Sequence, residues 1–142
     1  MLKSLYIIHK SGVMLFEKQF EESVYEIKEL VTAFFSALIV FTERSLQFGE
    51  IKELRCSSVK LLFNTAKEDQ FFVVIAVDQF DDAKAFDEFI KKVQQSFKKL
   101  YEQVRFKGKI GTYVAFEKRL EKIVKDTIPY MLFNRELEDS TL

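Results

Sequence analysis

Few residues in this chain could do chemistry, and their spacing argues against it. His9 is the only histidine and Cys56 the only cysteine in 142 residues. One imidazole without a second candidate ligand falls far short of the donor set a zinc site needs, so His9 reads as a surface residue where a strand meets its turn. A thiolate–imidazolium pair of Cys56 and His9 is conceivable, but nothing else in the sequence supports it. A lone thiol is more often a small buried or half-buried side chain. Asp78, Asp81 and Asp82 cluster after an apolar run and could bind a cation or a basic partner. Capping the helix that follows, together with solvation, is the favoured reading, since carboxylates accept the unpaired amide protons of a first turn. No G-x-x-x-x-G-K-[ST] loop is present to cradle a phosphate. Gly108-Lys109-Ile110-Gly111 has the G-x-x-G form of a nucleic-acid clamp. That clamp belongs to a fold with a strand after its second helix, whereas here Pro129 and a polar tail follow. The expectation is therefore a non-enzyme, with no catalytic, cofactor-binding or metal-binding residues.

Composition points the same way. Lysine plus arginine and aspartate plus glutamate number 22 each, so no bulk charge steers the chain to nucleic acid or to an anionic membrane. Hydrophobic residues make up 48% and charged residues 31%, a globular balance. Phenylalanine is in excess, at 16 copies without a tryptophan, and aromatic payload of this kind belongs first to a core. A single cysteine excludes an intrachain disulfide and fits a reducing compartment. The opening residues lack a signal-peptide pattern, and the longest uncharged stretch, Leu30 to Phe41, is too short to span a bilayer. A cytoplasmic location is expected, with membrane contact at most peripheral.

The elements that must position any site follow from periodicity. Leu2 to His9 reads as a strand, with the unbroken apolar run Leu5-Tyr6-Ile7-Ile8 of one covered on both faces. Ser11-Gly12 is a turn signal, and Val13 to Phe20 returns as the second strand of a hairpin. Residues 26–44 read as a helix. Ile27, Leu30, Val31, Phe34, Leu38 and Phe41 recur at three- and four-residue steps, and Phe35, Ile39 and Val40 widen the apolar arc beyond what one sheet contact needs. Leu46 to Leu54 alternates imperfectly amid charges, as an edge strand does. Ser58 to Thr65 alternates better, and Phe71 to Val77 (FFVVIAV) is a second doubly apolar strand, expected at the sheet centre. A helix with Phe86, Phe89, Ile90, Val93, Phe97, Leu100, Tyr101 and Val104 on one face follows. A third runs from Thr112 with Phe116, Leu120, Ile123 and Val124. The predicted fold is an α/β, α-β-α sandwich around a five-stranded, mainly antiparallel sheet, in the order β-β-α-β-β-β-α-α. It spans 1–128, with a C-terminal tail over 129–142.

This order resembles a longin domain. Ser4-Leu5-Tyr6-Ile7-Ile8-His9-Lys10-Ser11-Gly12-Val13-Met14-Leu15-Phe16 is similar to that family's first hairpin. Glu29-Leu30-Val31-Thr32-Ala33-Phe34-Phe35-Ser36-Ala37-Leu38 is similar to its first helix. The strand ending Phe72-Val73-Val74-Ile75-Ala76-Val77 and the helix ending Phe97-Lys98-Lys99-Leu100-Tyr101 fit as well, so the resemblance covers about residues 1–126. The helix-first order of the related roadblock domains does not fit a chain that begins with strands. The resemblance implies a non-catalytic scaffold of trafficking-type machinery that forms homo- or heterodimers and binds small Ras-like GTPases or other longin and roadblock proteins. It departs from the SNARE type, since no heptad helix or anchor is expected after the domain, and it resembles free-standing archaeal members that accompany small GTPases.

In that family the first helix and third strand commonly form the dimer face. The resemblance and the broad arc together nominate Phe35, Ile39 and Val40, with Gln47, Phe48, Gly49 and Ile51 on the edge. The alternative surface is basic: Lys98, Lys99, Arg105, Lys107 and Lys109, facing an anionic membrane or an acidic protein.

Overall fold

The structure, a computed structural model, describes residues 1–11, 13–20, 34, 37, 52–64, 70–107 and 112–128. The chain divides into two compact units, Met1–Asp81 and Asp82–Leu142.

The described residues of the first unit form a five-stranded antiparallel sheet of β1 (Leu2–His9), β2 (Met14–Gln19), β3 (Glu53–Arg55), β4 (Val59–Asn64) and β5 (Phe71–Asp78). Its strand order is β2-β1-β5-β4-β3. The two strands with apolar residues on both faces, β1 and β5, lie side by side inside the sheet, as their sequences require. Leu5, Tyr6 and Ile7 of β1 and Val73 to Val77 of β5 are completely buried. Each large aliphatic or aromatic side chain removed from water there contributes about 1.5–3 kcal/mol, which a strand covered on one face could collect only from alternate residues. Tyr6, Ile8, Leu61, Val74 and Ala76 form one face's cluster, with Met14, Leu54, Val59 and Phe63 packed against it.

Register fixes which residues share an end of the sheet. In the hairpin Ile7 pairs with Phe16 and Ile8 with Met14, so Leu15 bulges. The His9 amide closes the turn on the Val13 carbonyl at 2.8 Å. His9 also pairs with Phe71, and Leu2 with Val77 at the other end of β5. Val59 pairs with Asp78 and Asn64 with Val73, while β3 meets β4 from Glu53↔Leu62 to Arg55↔Lys60. The turn between β3 and β4 closes through the Cys56 amide to the Val59 carbonyl at 2.8 Å.

The second unit opens on Asp82, whose extended backbone and side chain cap a short 3-10 turn, Ala83–Phe86, by accepting the Lys84 amide. Helix α1 (Asp87–Lys107) and helix α2 (Thr112–Thr127) follow. Phe86, Phe89, Ile90, Val93, Phe97 and Leu100 are buried, as are Phe116, Leu120, Ile123 and Val124. These are the positions whose three- and four-residue spacing predicted the two helices. Phe97 is the hinge of their contact: its ring meets Phe116 edge to face at 5.2 Å and stacks with Tyr101 at 6.3 Å. Helix α2 stops at Thr127, one residue before the position preceding Pro129, because proline disfavours helical backbone in the residue before it.

Of the helix predicted over 26–44, only Phe34 and Ala37 are described. Both are helical and exposed. The periodicity placed Phe34 near the middle of the buried arc, yet it keeps 40% of its surface in solvent.

Candidate interaction surface

The residues with chemical potential do not assemble into a reactive centre. His9 lies at the end of β1 that pairs with Phe71, whereas Cys56 adjoins the end where Lys60 pairs with Val77. Six residues of β5 separate those rows, about 20 Å at roughly 3.3 Å per residue. A Cys56–His9 pair is thereby ruled out in this fold. The Cys56 side chain is exposed rather than packed. His9 is engaged locally: the Ser11 amide donates to its Nδ1 at 3.1 Å, and the Ser11 hydroxyl lies 2.8 Å from the same nitrogen. An Nδ1 that accepts an amide proton places the ring's own proton on Nε2.

The three aspartates separate into structural duties. Asp82 Oδ1 caps the 3-10 turn through the Lys84 amide at 3.1 Å. Asp78 Oδ1 accepts the Phe80 amide at 3.1 Å. Asp81 was an equal candidate for the cap, but its carboxylate turns back on the sheet, accepting the Asp78 amide at 3.0 Å and pairing with the Met1 ammonium. No group of three or more histidine, cysteine, aspartate or glutamate side chains suited to a metal occurs among the described residues.

Beside them lies a charged arrangement that the sequence did not reveal. Lys60 is only 7% exposed, and its ammonium donates to the Asp81 carbonyl oxygen at 2.6 Å. The Glu53 carboxylate lies 3.6 Å from the same ammonium and accepts from Arg55 Nε at 2.9 Å. The hydrogen bond from Arg55, with the nearby Arg55 and Lys60 charges, holds the Glu53 carboxyl below its ordinary range against a smaller opposing effect of burial. Through these contacts β3 is tied to β4, and β4 to the turn after β5.

The nominated dimer face falls where the structure is silent: Phe35, Ile39, Val40, Gln47, Phe48, Gly49 and Ile51 lie outside the described residues. What is described next to them is β3, three residues long and at the sheet's edge among the described strands, as its charges led us to expect. Of the basic set, Lys98 and Lys99 are exposed on α1. Arg105 and Lys107 belong to the same helix by backbone, and Lys109 is outside the described residues. The exposed cations of α2, Lys118, Arg119, Lys122 and Lys125, were not singled out from sequence. Their signal was there, as the polar complement of the Phe116, Leu120, Ile123 and Val124 face. No helix among the described residues is long and apolar enough to cross a membrane.

No family model matches the chain, and no curated protein matches it. Chains of solved structures do match, 23 in all. One is the crystal structure of a Roadblock/LC7 domain from Streptomyces avermitilis, at a TM-score of 0.41 and 12% identity, over 92% of this chain and 86% of that one. A likeness at that score carries no weight for function, and the fold described above rests on this chain's own strand pairing.

Proposed function

We propose that this chain is a non-catalytic, longin-like interaction module of 1–128 with a tail of 129–142, which dimerises and engages a small Ras-like GTPase or another longin or roadblock protein in trafficking-type machinery. One observation carries the reading. Among the described strands, the five antiparallel ones in the order β2-β1-β5-β4-β3 finish in a three-residue strand at the edge. A strand that ends a sheet offers unpaired backbone groups, and a partner strand is one way to satisfy them. Phe34, helical and 40% exposed, supports an apolar contact. Phe35, Ile39 and Val40 with Gln47, Phe48, Gly49 and Ile51 are the proposed contact residues, and the setting is cytoplasmic. Calorimetric titration with small GTPases of the source organism, loaded with GDP or a GTP analogue, tests the partner. Saturable binding to one of them in one nucleotide state is the expected result. Absence of binding to all of them in both states contradicts the GTPase half of the proposal.

The second reading is a peripheral membrane module using Lys98, Lys99, Arg105, Lys107 and Lys109. The adjacent, exposed Lys98 and Lys99 on α1 favour it. Flotation with anionic vesicles at low salt decides it, and a protein that stays at the bottom of the gradient rejects it.

A further inference from the structure

The outer side of β3 carries a backbone pattern and a charge pattern, and the two select the same pairing. The Phe63 amide donates to the Lys52 carbonyl at 3.0 Å, and the Cys56 amide to the Val59 carbonyl at 2.8 Å. Both couples continue the β3–β4 register, in which Leu54 lies opposite Leu61. Backbone bonding alternates along an antiparallel strand, so Lys52, Leu54 and Cys56 turn their amides and carbonyls toward β4. Glu53 and Arg55 therefore turn theirs away from it. No described strand pairs with that side. The Glu53 and Arg55 side chains share one face, where Arg55 Nε donates to Glu53 Oε1 at 2.9 Å, and the Arg55 side chain keeps 77% of its surface in solvent.

Two copies of one strand continue a sheet antiparallel about a two-fold axis perpendicular to it. Residues that meet across that axis lie on the same face, and the outward backbone groups of one copy must find those of the other. Within β3 this leaves Glu53 against Glu53, Arg55 against Arg55, or Glu53 against Arg55. Like charges directly opposite destabilise a sheet, whereas opposite charges stabilise it. The geometry points to a second copy of this chain as the occupant of the β3 edge, paired antiparallel about Leu54, with Glu53 of each copy opposite Arg55 of the other. In this register the outward amides and carbonyls of Glu53 and Arg55 all bond across the axis. Because Glu53 already pairs with Arg55 along its own strand, carboxylates and guanidiniums alternate in sign around the axis, and a guanidinium has further donors for a second carboxylate. Leu54, half-buried and on the opposite face, meets Leu54 of the other copy. The inference rests on the proposed dimer and adds its register and edge residues. A strand whose charges complement themselves favours a second copy over an unrelated partner strand.

The register sets Lys52 of one copy opposite Cys56 of the other, in a pair without mutual backbone bonds whose Cα atoms come about 4.5 Å apart. That separation suits a disulfide. Lys52 and Cys56 are both exposed, and Lys52→Cys supplies the second thiol. Mild oxidation of the full Lys52→Cys chain should give mostly covalent dimer on a non-reducing gel. The native chain should stay single, because the two Cys56 thiols are offset by about 13 Å along the strands. Lys52→Cys combined with Cys56→Ser should stay single for the same reason. Arg55→Glu, which sets carboxylates opposite one another, should raise the dissociation constant measured by light scattering about tenfold, with an unchanged circular dichroism spectrum. A native mass of two chains without the Lys52→Cys cross-link would overturn the register and leave the dimer standing. A single-chain mass at the highest concentration, with no cross-link, would overturn both. An Arg55→Glu protein that dimerises as tightly as the native chain would overturn the charge pairing.

Discussion

The ammonium of Lys60 donates to the Asp81 carbonyl oxygen at 2.6 Å, joining a lysine inside β4 to a backbone group 21 residues further along the chain. A lysine only 7% exposed persists because its charge is met by that carbonyl and by Glu53. Lys60→Ala should cost about 1–3 kcal/mol, through the lost packing of a buried side chain and a part-buried acceptor left without its donor. Lys60→Met, which keeps the aliphatic stem, should cost less than Lys60→Ala. Urea denaturation of the three proteins measures both.

Glu53 gives a pH signature. Its folded-state value is lowered from an ordinary 4.5, first by the Arg55 hydrogen bond. A carboxyl depressed on folding contributes stability that is present above its unfolded value and lost as pH falls through its folded value. A carboxyl titration followed by NMR should place Glu53 below 4.5, and Arg55→Ala should move it upward.

The aromatic contact in the second unit predicts a large effect. Phe97 is completely buried and meets Phe116 edge to face. Phe97→Ala should destabilise the protein by about 3–5 kcal/mol, combining lost transfer energy with an unfilled cavity. Chemical denaturation monitored by circular dichroism reads this directly.

Phe80 is the counter-case. It is 88% exposed, on a turn held by its backbone, so the ring has little to lose. Phe80→Ser should shift stability by less than about 0.5 kcal/mol. A loss comparable to that of Phe97→Ala would mean that the ring is covered in solution.

What could be read from sequence divides along the same physical line. The bounds of β1 and the central place of β5 followed from Leu5-Tyr6-Ile7-Ile8 and FFVVIAV, since a run apolar on both faces has to lie inside a sheet. The helices after Asp82 followed from three- and four-residue spacing. The burial of Lys60 was not legible, because a lysine between Val59 and Leu61 falls on the polar side of an alternating strand. Its burial depends on a carbonyl 21 residues away, which no local pattern encodes. Asp81 and Asp82 looked interchangeable as caps. Only the fold brings the Met1 ammonium and the Asp78 amide to Asp81, leaving the cap to Asp82. Phe34 matched the apolar period and is nevertheless exposed, because periodicity reports which residues share a face and not what covers that face. The edge position of β3 among the described strands was legible through its charges, while the contact residues Phe35 to Ile51 rest on the longin resemblance and the broad apolar arc and lie outside the described residues.

Light scattering on the purified chain across a wide concentration range tests the central claim of an interaction module most directly. The account predicts a mass rising to twice the 16.8 kDa of one chain, and Phe35→Asp with Ile51→Asp returning it to the single-chain value while the circular dichroism spectrum is retained. A native protein that stays at 16.8 kDa at the highest concentration would contradict the dimer face.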